Sequence, residues 1–249
     1  MAEWKARSSP ILRAELRYGE LADVACAVDL SEDSVFVVSD VLPPIGARVD
    51  LTLSFPRAVR PVNVTAEVRE VRLEQGPGVA SGFRASFEAS APAERERVSD
   101  LVRRMRDTTR EIGRKELRVL LVEDNRLVRD MFDYALGKHF AGRECRVRMD
   151  HAIDVPTAWL RLHTRHYDLV VVDYHLPDED GATLIARLRK EPTLAATAVV
   201  AISVGNPEVR RATLAAGADL FLKKPLVFRD LFHTLEFVTL DGAVDVPTS

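Results

Sequence analysis

The chain has 249 residues, which at about 150 residues per domain predicts two domains. Hydrophobic residues at 47% and charged residues at 29% make an ordinary globular composition and exclude a fibrous or disordered chain. A net charge of -3 gives no electrostatic case for nucleic acid, and no apolar run approaches the roughly 18 residues that would span a bilayer. The charged opening Met-Ala-Glu-Trp-Lys-Ala-Arg lacks the apolar stretch of a secretory leader, so a cytoplasmic protein is expected, with no membrane insertion. Cys26 and Cys145 lie in apolar segments of different halves without CxxC spacing, which predicts two reduced core thiols and no metal site between them.

From residue 12 to 88 the apolar pattern has period two, the mark of half-buried strands. Val49, Leu51, Leu53 and Phe55 alternate with polar residues, as do Val62, Val64, Ala66 and Val68. The parity then shifts between Glu70 and Val71, which predicts a bulge that bends the strand. Pro43-Pro44 with Gly46, and Gly76-Pro77-Gly78, supply turns at the spacing of short antiparallel strands. A small antiparallel beta barrel is predicted.

This segment resembles a PilZ domain, a bacterial barrel family whose usual ligand is cyclic di-GMP. The matching pieces are Val28-Asp29-Leu30-Ser31-Glu32-Asp33-Ser34-Val35-Phe36-Val37, then Ile45-Gly46-Ala47-Arg48-Val49, then Ser81-Gly82-Phe83-Arg84-Ala85-Ser86-Phe87. The resemblance implies a dinucleotide site made of an RxxxR loop ahead of the first strand and a [D/N]xSxxG turn, in which guanidinium forks clamp phosphates. Asp29 and Ser31 fit that turn, while Ser34 stands where glycine is expected. Arg13 and Arg17 spell RxxxR but fall inside the first strand, where a solvent-facing role competes with a ligand clamp. In the preceding loop Arg7 matches, with Glu3 in place of the other arginine. Weak or absent binding of cyclic di-GMP is expected from these departures.

After Ser90 or Ala91, with Pro92 in the first turn, Val98, Leu101, Val102, Met105, Thr109 and Ile112 share one helical face. The sevenfold spacing of Val98, Met105 and Ile112 fits a short coiled coil between two copies of the chain, hence a homodimer. The same stripe equally fits a cover on the end of its own barrel. Residues 92 to 116 carry eight basic and six acidic side chains, the balance of a solvated face and not of a DNA-binding one.

From residue 117 short apolar runs alternate with helical periods. Strands are predicted at 117–122, 145–149, 169–172, 198–202 and 220–222, and helices at about 126–138, 154–165, 180–190, 207–216 and 227–239. Five strands each followed by a helix predict a doubly wound, five-stranded parallel sheet. Ligand crevices in such sheets lie at the carboxyl ends of the strands, where Glu123, Asp124, Asp173, Ser203 and Lys224 then converge. Three carboxylates in one crevice call for a hard cation such as Mg2+, and an adjacent ammonium and hydroxyl would grip phosphoryl oxygens.

The second half resembles the receiver domain of bacterial response regulators over about residues 116 to 240. Four motifs occur in order: Val119-Leu120-Leu121-Val122-Glu123-Asp124-Asn125, then Val171-Val172-Asp173-Tyr174-His175-Leu176-Pro177-Asp178-Glu179-Asp180-Gly181, then Val200-Ala201-Ile202-Ser203, then Gly217-Ala218-Asp219-Leu220-Phe221-Leu222-Lys223-Lys224-Pro225. The resemblance implies that Asp173 accepts a phosphoryl group, with Mg2+ held by Glu123, Asp124, Asp173 and the carbonyl of His175. It further implies that Lys224 pairs with the phosphoryl group, Ser203 is the switch hydroxyl, Phe221 is the aromatic that reports the state, and the Lys224-Pro225 bond is cis. Phe221 could equally be plain core. Val204 stands where the family usually has a small residue and is expected to narrow access to Asp173.

The expected organisation is a PilZ-like barrel over 1–91, a connector helix over 92–115, a receiver over 116–240 and a tail over 241–249. The expected function is a two-component response regulator without DNA-binding output and without enzymatic activity of its own. It would take its phosphoryl group from a sensor histidine kinase or phosphotransfer protein and signal to a downstream protein by contact. The alternative is a cyclic di-GMP effector whose receiver is modulatory or degenerate. A metal-dependent phosphatase with Asp173 as nucleophile ranks last, because the DxD motif of the commonest such class is absent.

Overall fold

The structure, a computed structural model, describes residues 11–55, 59–73, 81–108, 116–142, 146–204, 207–226, 228 and 231–232. The chain divides into two compact units, Met1–Glu111 with Arg229–Ser249, and Ile112–Phe228. Cys145 lies outside the described residues, as do Arg7, Ile112 and most of the helix expected over 227–239.

In the first unit six antiparallel strands, β1 (Leu12–Tyr18), β2 (Leu21–Val28), β3 (Ser34–Val38), β4 (Arg48–Phe55), β5 (Val59–Arg72) and β6 (Gly82–Ser86), close in the order β1-β2-β3-β6-β5-β4. Closure follows from the pairing of β1 with both β2 and β4, which leaves no unpaired edge. Alternation puts Leu12, Ala14, Leu16, Val35, Val37, Leu51, Leu53 and Phe83 inside. The register irregularity of β5 falls between Val68 and Glu70, slightly before the expected parity shift. Cys26 is half-buried and not in the core, because its neighbours Ala25 and Ala27 take the inward positions of β2.

Helix α1 (Pro92–Thr108) packs on β5. Val98, Leu101, Val102 and Met105 are all buried, and the Glu94 carboxylate accepts from the backbone N–H of Thr65 and of Ala91. The described part of its apolar stripe, Val98 to Met105, covers its own barrel.

The second unit alternates β7 (Glu116–Val122), α2 (Arg126–Phe140), β8 (Arg146–Ala152), α3 (Val155–Thr164), β9 (Leu169–Asp173), α4 (Gly181–Lys190), β10 (Ala198–Ser203), α5 (Pro207–Ala215) and β11 (Leu220–Lys223). The strands form a parallel sheet in the order β11-β10-β9-β7-β8. Every residue of β9 and β10 is buried, as continuous apolar runs covered on both faces require. Strand order reverses at β7, so the crevice opens between the carboxyl ends of β7 and β9. Among the described residues no helix is long and apolar enough to cross a membrane.

Candidate functional site

Val122 of β7 lies opposite Val172 of β9, so the next residues, Glu123 and Asp173, are neighbours across the crevice. Ile202 is the partner of Asp173 on the other side, which puts Ser203, fully buried, one residue beyond it on β10. Ser203 in turn pairs with Lys223, and its carbonyl accepts from the Lys224 N–H at 2.7 Å. The Lys224-Pro225 bond is cis. Four distant stretches of sequence thus meet at one end of the sheet.

The side chains form a charged cluster. Lys224 Nζ donates to Glu123 Oε2 at 2.8 Å and to Asp173 Oδ2 at 2.9 Å. Carboxylate oxygens of Glu123, Asp124 and Asp173 lie within 4.8 Å of one another. Burial, helped by repulsion from Asp173, holds the Glu123 carboxyl above the ordinary carboxylate range against the hydrogen bonds from Lys224 and Asn125. Burial opposes the Lys224 ammonium, but its hydrogen bonds to Glu123 and Asp173 and their negative charges raise its pKa above the ordinary lysine value.

The two buried carboxylates are not equally satisfied. Glu123 Oε1 accepts the Asn125 N–H at 3.1 Å while Oε2 accepts Lys224. Asp173 Oδ1 is buried with no hydrogen-bond partner. A buried, unpartnered carboxylate oxygen is costly and calls for a ligand or ion. An all-carboxylate oxygen set beside such an atom fits Mg2+ better than any soft metal.

A profile of the response regulator receiver domain matches residues 119–236. The two-component response regulator ORR8 of Oryza sativa subsp. indica is 32% identical over 122 residues, which are 48% of this chain and 96% of the rice protein. The chain belongs to the response regulator receiver family. A gliding motility regulatory protein of Myxococcus xanthus is 36% identical to the receiver over 125 residues, 49% of this chain but only 15% of that protein. A CheY-like receiver domain from Methylobacillus flagellatus superposes on 50% of this chain and 99% of its own, with 25% identity and a TM-score of 0.43.

Elsewhere in the receiver, His175 is exposed, its ring edge-on to Tyr174. Phe221 belongs to the hydrophobic core with Val199, Ala201 and Ala218, which is the core position its strand periodicity allowed. Val204 follows Ser203 with 67% of its surface exposed. Three contributors had no assigned role in the sequence. Asn125 caps α2 by accepting from the Leu127 and Val128 N–H groups. Gly181 lets α4 start directly against Asp173, because an added Cβ would stand 2.3 Å from the Asp173 carbonyl oxygen. Arg129 Nη1 donates to the carbonyls of Glu123 at 2.8 Å and Asp124 at 2.7 Å. Asn125 follows the carboxylate pair directly and carries a strong capping signal; Arg129, whose acceptors are backbone atoms, has no sequence signature.

Among the described residues singled out for a dinucleotide, Arg13, Arg17, Asp29 and Ser31, the polar groups are engaged locally or exposed, and Arg7 lies outside the described residues. Arg17 is exposed on β1, and Arg13 pairs with Glu15 at 3.4 Å on the outer face. Asp29, at φ 52°, accepts from Arg84 Nη2 at 3.0 Å. Ser31 Oγ lies 3.3 Å from Ser34 Oγ and accepts the Ser34 N–H at 3.0 Å, so the turn is closed on itself.

Proposed function

We propose that the chain accepts a phosphoryl group on Asp173 from a histidine kinase or phosphotransfer protein and signals through protein contact. The observation that carries this reading is the buried, unpartnered Asp173 Oδ1 inside a carboxylate trio that also holds an ammonium. An Asp173 oxygen attacks phosphorus; the P–N bond to the donor imidazole breaks as the P–O bond forms, and the imidazole leaves with a proton from solvent. Glu123, Asp124, Asp173 and the His175 carbonyl would hold Mg2+. Bound there, Mg2+ supplies charge neutralisation at the phosphoryl oxygens. Lys224 turns its ammonium from Asp173 Oδ2 to a phosphoryl oxygen, and the Ser203 hydroxyl donates to another. The change biases the surface around Val209 to Leu214 and Phe228.

The domain reading is a PilZ-like barrel over 1–91, connector over 92–115 and receiver over 116–240. The closed six-stranded order supports the barrel assignment. Because Asp29 is paired to Arg84 and Ser31 to Ser34, we expect weak or no binding of cyclic di-GMP.

Incubation with a small-molecule phosphodonor and Mg2+ should add one acid-labile phosphoryl group by intact mass, and Asp173→Asn should abolish it. An adduct that survives the substitution identifies another acceptor and overturns the reading. Hydrogen exchange with and without beryllofluoride tests the output: changes at Val209 to Leu214 are expected, and changes limited to the Asp173 and Ser203 loops would contradict it.

A further inference from the structure

In an extended strand successive side chains point to opposite faces, so Glu123 and Asp124 could not both turn toward Asp173 if β7 simply continued. Yet oxygens of all three carboxylates lie within 4.8 Å of one another. The chain therefore has to leave strand geometry at Glu123 and Asp124, and something has to hold it there. Successive carbonyls of a strand also point to opposite sides, but here the consecutive carbonyls of Glu123 and Asp124 converge on one nitrogen, Arg129 Nη1.

We propose that Arg129 is a positioning residue that fixes the Glu123-Asp124 turn and so sets both carboxylates toward the cation site. The proposal rests on the reading of Glu123, Asp124 and Asp173 as that site. Two features make the guanidinium suited to it. Arg129 sits in the first turn of α2, its own N–H donating to the Asn125 carbonyl at 3.2 Å, so its stem is anchored to the loop it holds. Among the described residues it forms no ion pair, and its charge is spent on carbonyl dipoles, leaving the carboxylates available to a cation. Asn125 contributes separately, through the hydrogen bond from its N–H to Glu123 Oε1 and the cap on α2.

A merely structural Arg129 would affect melting but not the cation once the chain is folded. The test is calorimetric titration of the full chain with Mg2+ and with Ca2+, without phosphodonor and well below the melting transition, for wild type, Arg129→Met and Arg129→Lys. Loss of an outer-shell partner weakens metal binding by about 10-fold or more, so Arg129→Met should raise the Mg2+ Kd by about that factor. Ca2+ tolerates irregular geometry where Mg2+ requires a near-ideal octahedron, so the Ca2+ Kd should rise less. Arg129→Lys, which keeps a cationic donor near the carbonyls, should recover part of the Mg2+ affinity. Arg129→Gln replaces the Met variant if that one does not fold. A Kd for Mg2+ within about twofold of wild type in the Met or Gln variant, or an equal loss in the Lys variant, would overturn the proposal. Absence of Mg2+ binding by wild type would instead overturn the site reading itself, and this proposal with it.

Discussion

Asp29 in the barrel and Asp173 in the receiver are both partly or fully buried carboxylates beside a cation, and they differ in what is left over. Asp29 meets Arg84 at 3.0 Å, and Arg84 also reaches Ser34 and lies over the Phe36 ring. Asp173 meets Lys224 at 2.9 Å, yet its other oxygen is buried without a partner and two more carboxylates crowd it. A polar cluster whose members satisfy one another contributes stability and resists a ligand. A cluster that leaves one buried oxygen unmet is destabilised until something binds. The same residue type next to the same kind of charge thus makes a staple in one unit and a candidate site in the other.

Removing the cation should separate the two most sharply. Lys224→Met leaves Glu123 and Asp173 facing each other unneutralised, and breaking a buried pair in this way costs about 3 kcal/mol. Denaturant unfolding should show that loss in chelator and a smaller one with Mg2+ present. Two glycines give the next contrast. An added Cβ at Gly82 would stand 2.3 Å from the Val37 carbonyl oxygen, and one at Gly181 the same distance from that of Asp173. Each Gly→Ala change should cost about 2 kcal/mol as backbone is pushed apart. Only Gly181→Ala should also slow phosphoryl uptake, read by intact mass against time.

Arg84→Met comes lower, at about 1 kcal/mol, because its partner Asp29 retains water on one side. It should leave Mg2+ binding unchanged. The smallest effect concerns Asp150, half-buried, whose pKa is held below the ordinary carboxylate range by the Tyr167 hydroxyl at 2.7 Å and by Arg165, against a burial effect that would raise it. A depressed carboxyl stabilises the fold above its unfolded pKa, and that contribution disappears as pH falls through the folded value. The melting difference between wild type and Tyr167→Phe should therefore be present at neutral pH and shrink below about pH 4.

Much of this was written plainly in the chain. The receiver strands are apolar runs bounded by carboxylates or lysine, and because a parallel sheet gathers strand ends, placing Glu123, Asp124, Asp173, Ser203 and Lys224 at those ends was enough to predict their convergence. The periodicity does not identify Cys26 as an outward residue because Val24, Cys26 and Val28 are as apolar as Ala25 and Ala27, so the two faces of β2 look alike and only its pairing with β1 distinguishes them. The Asp29 and Arg84 pair was invisible for a similar reason: the residues are 55 apart, and their meeting depends on the register that sets Phe36 opposite Arg84. Arg129 has no sequence signature, because its acceptors are backbone carbonyls, which leave no trace in a sequence. The bulge in β5 showed as a parity shift only after alternation resumed, hence its displacement along the strand.

The contrast between a satisfied and an unsatisfied carboxylate is tested most directly by amide NMR of the full chain on addition of Mg2+ and beryllofluoride. Shifts are predicted at Glu123 to Arg129, at Asp173 to Gly181, at Ser203 and at Lys224, lost in Asp173→Asn, with Asp29 to Ser34 unmoved. An unchanged receiver crevice, or the same shifts in Asp173→Asn, would contradict the account.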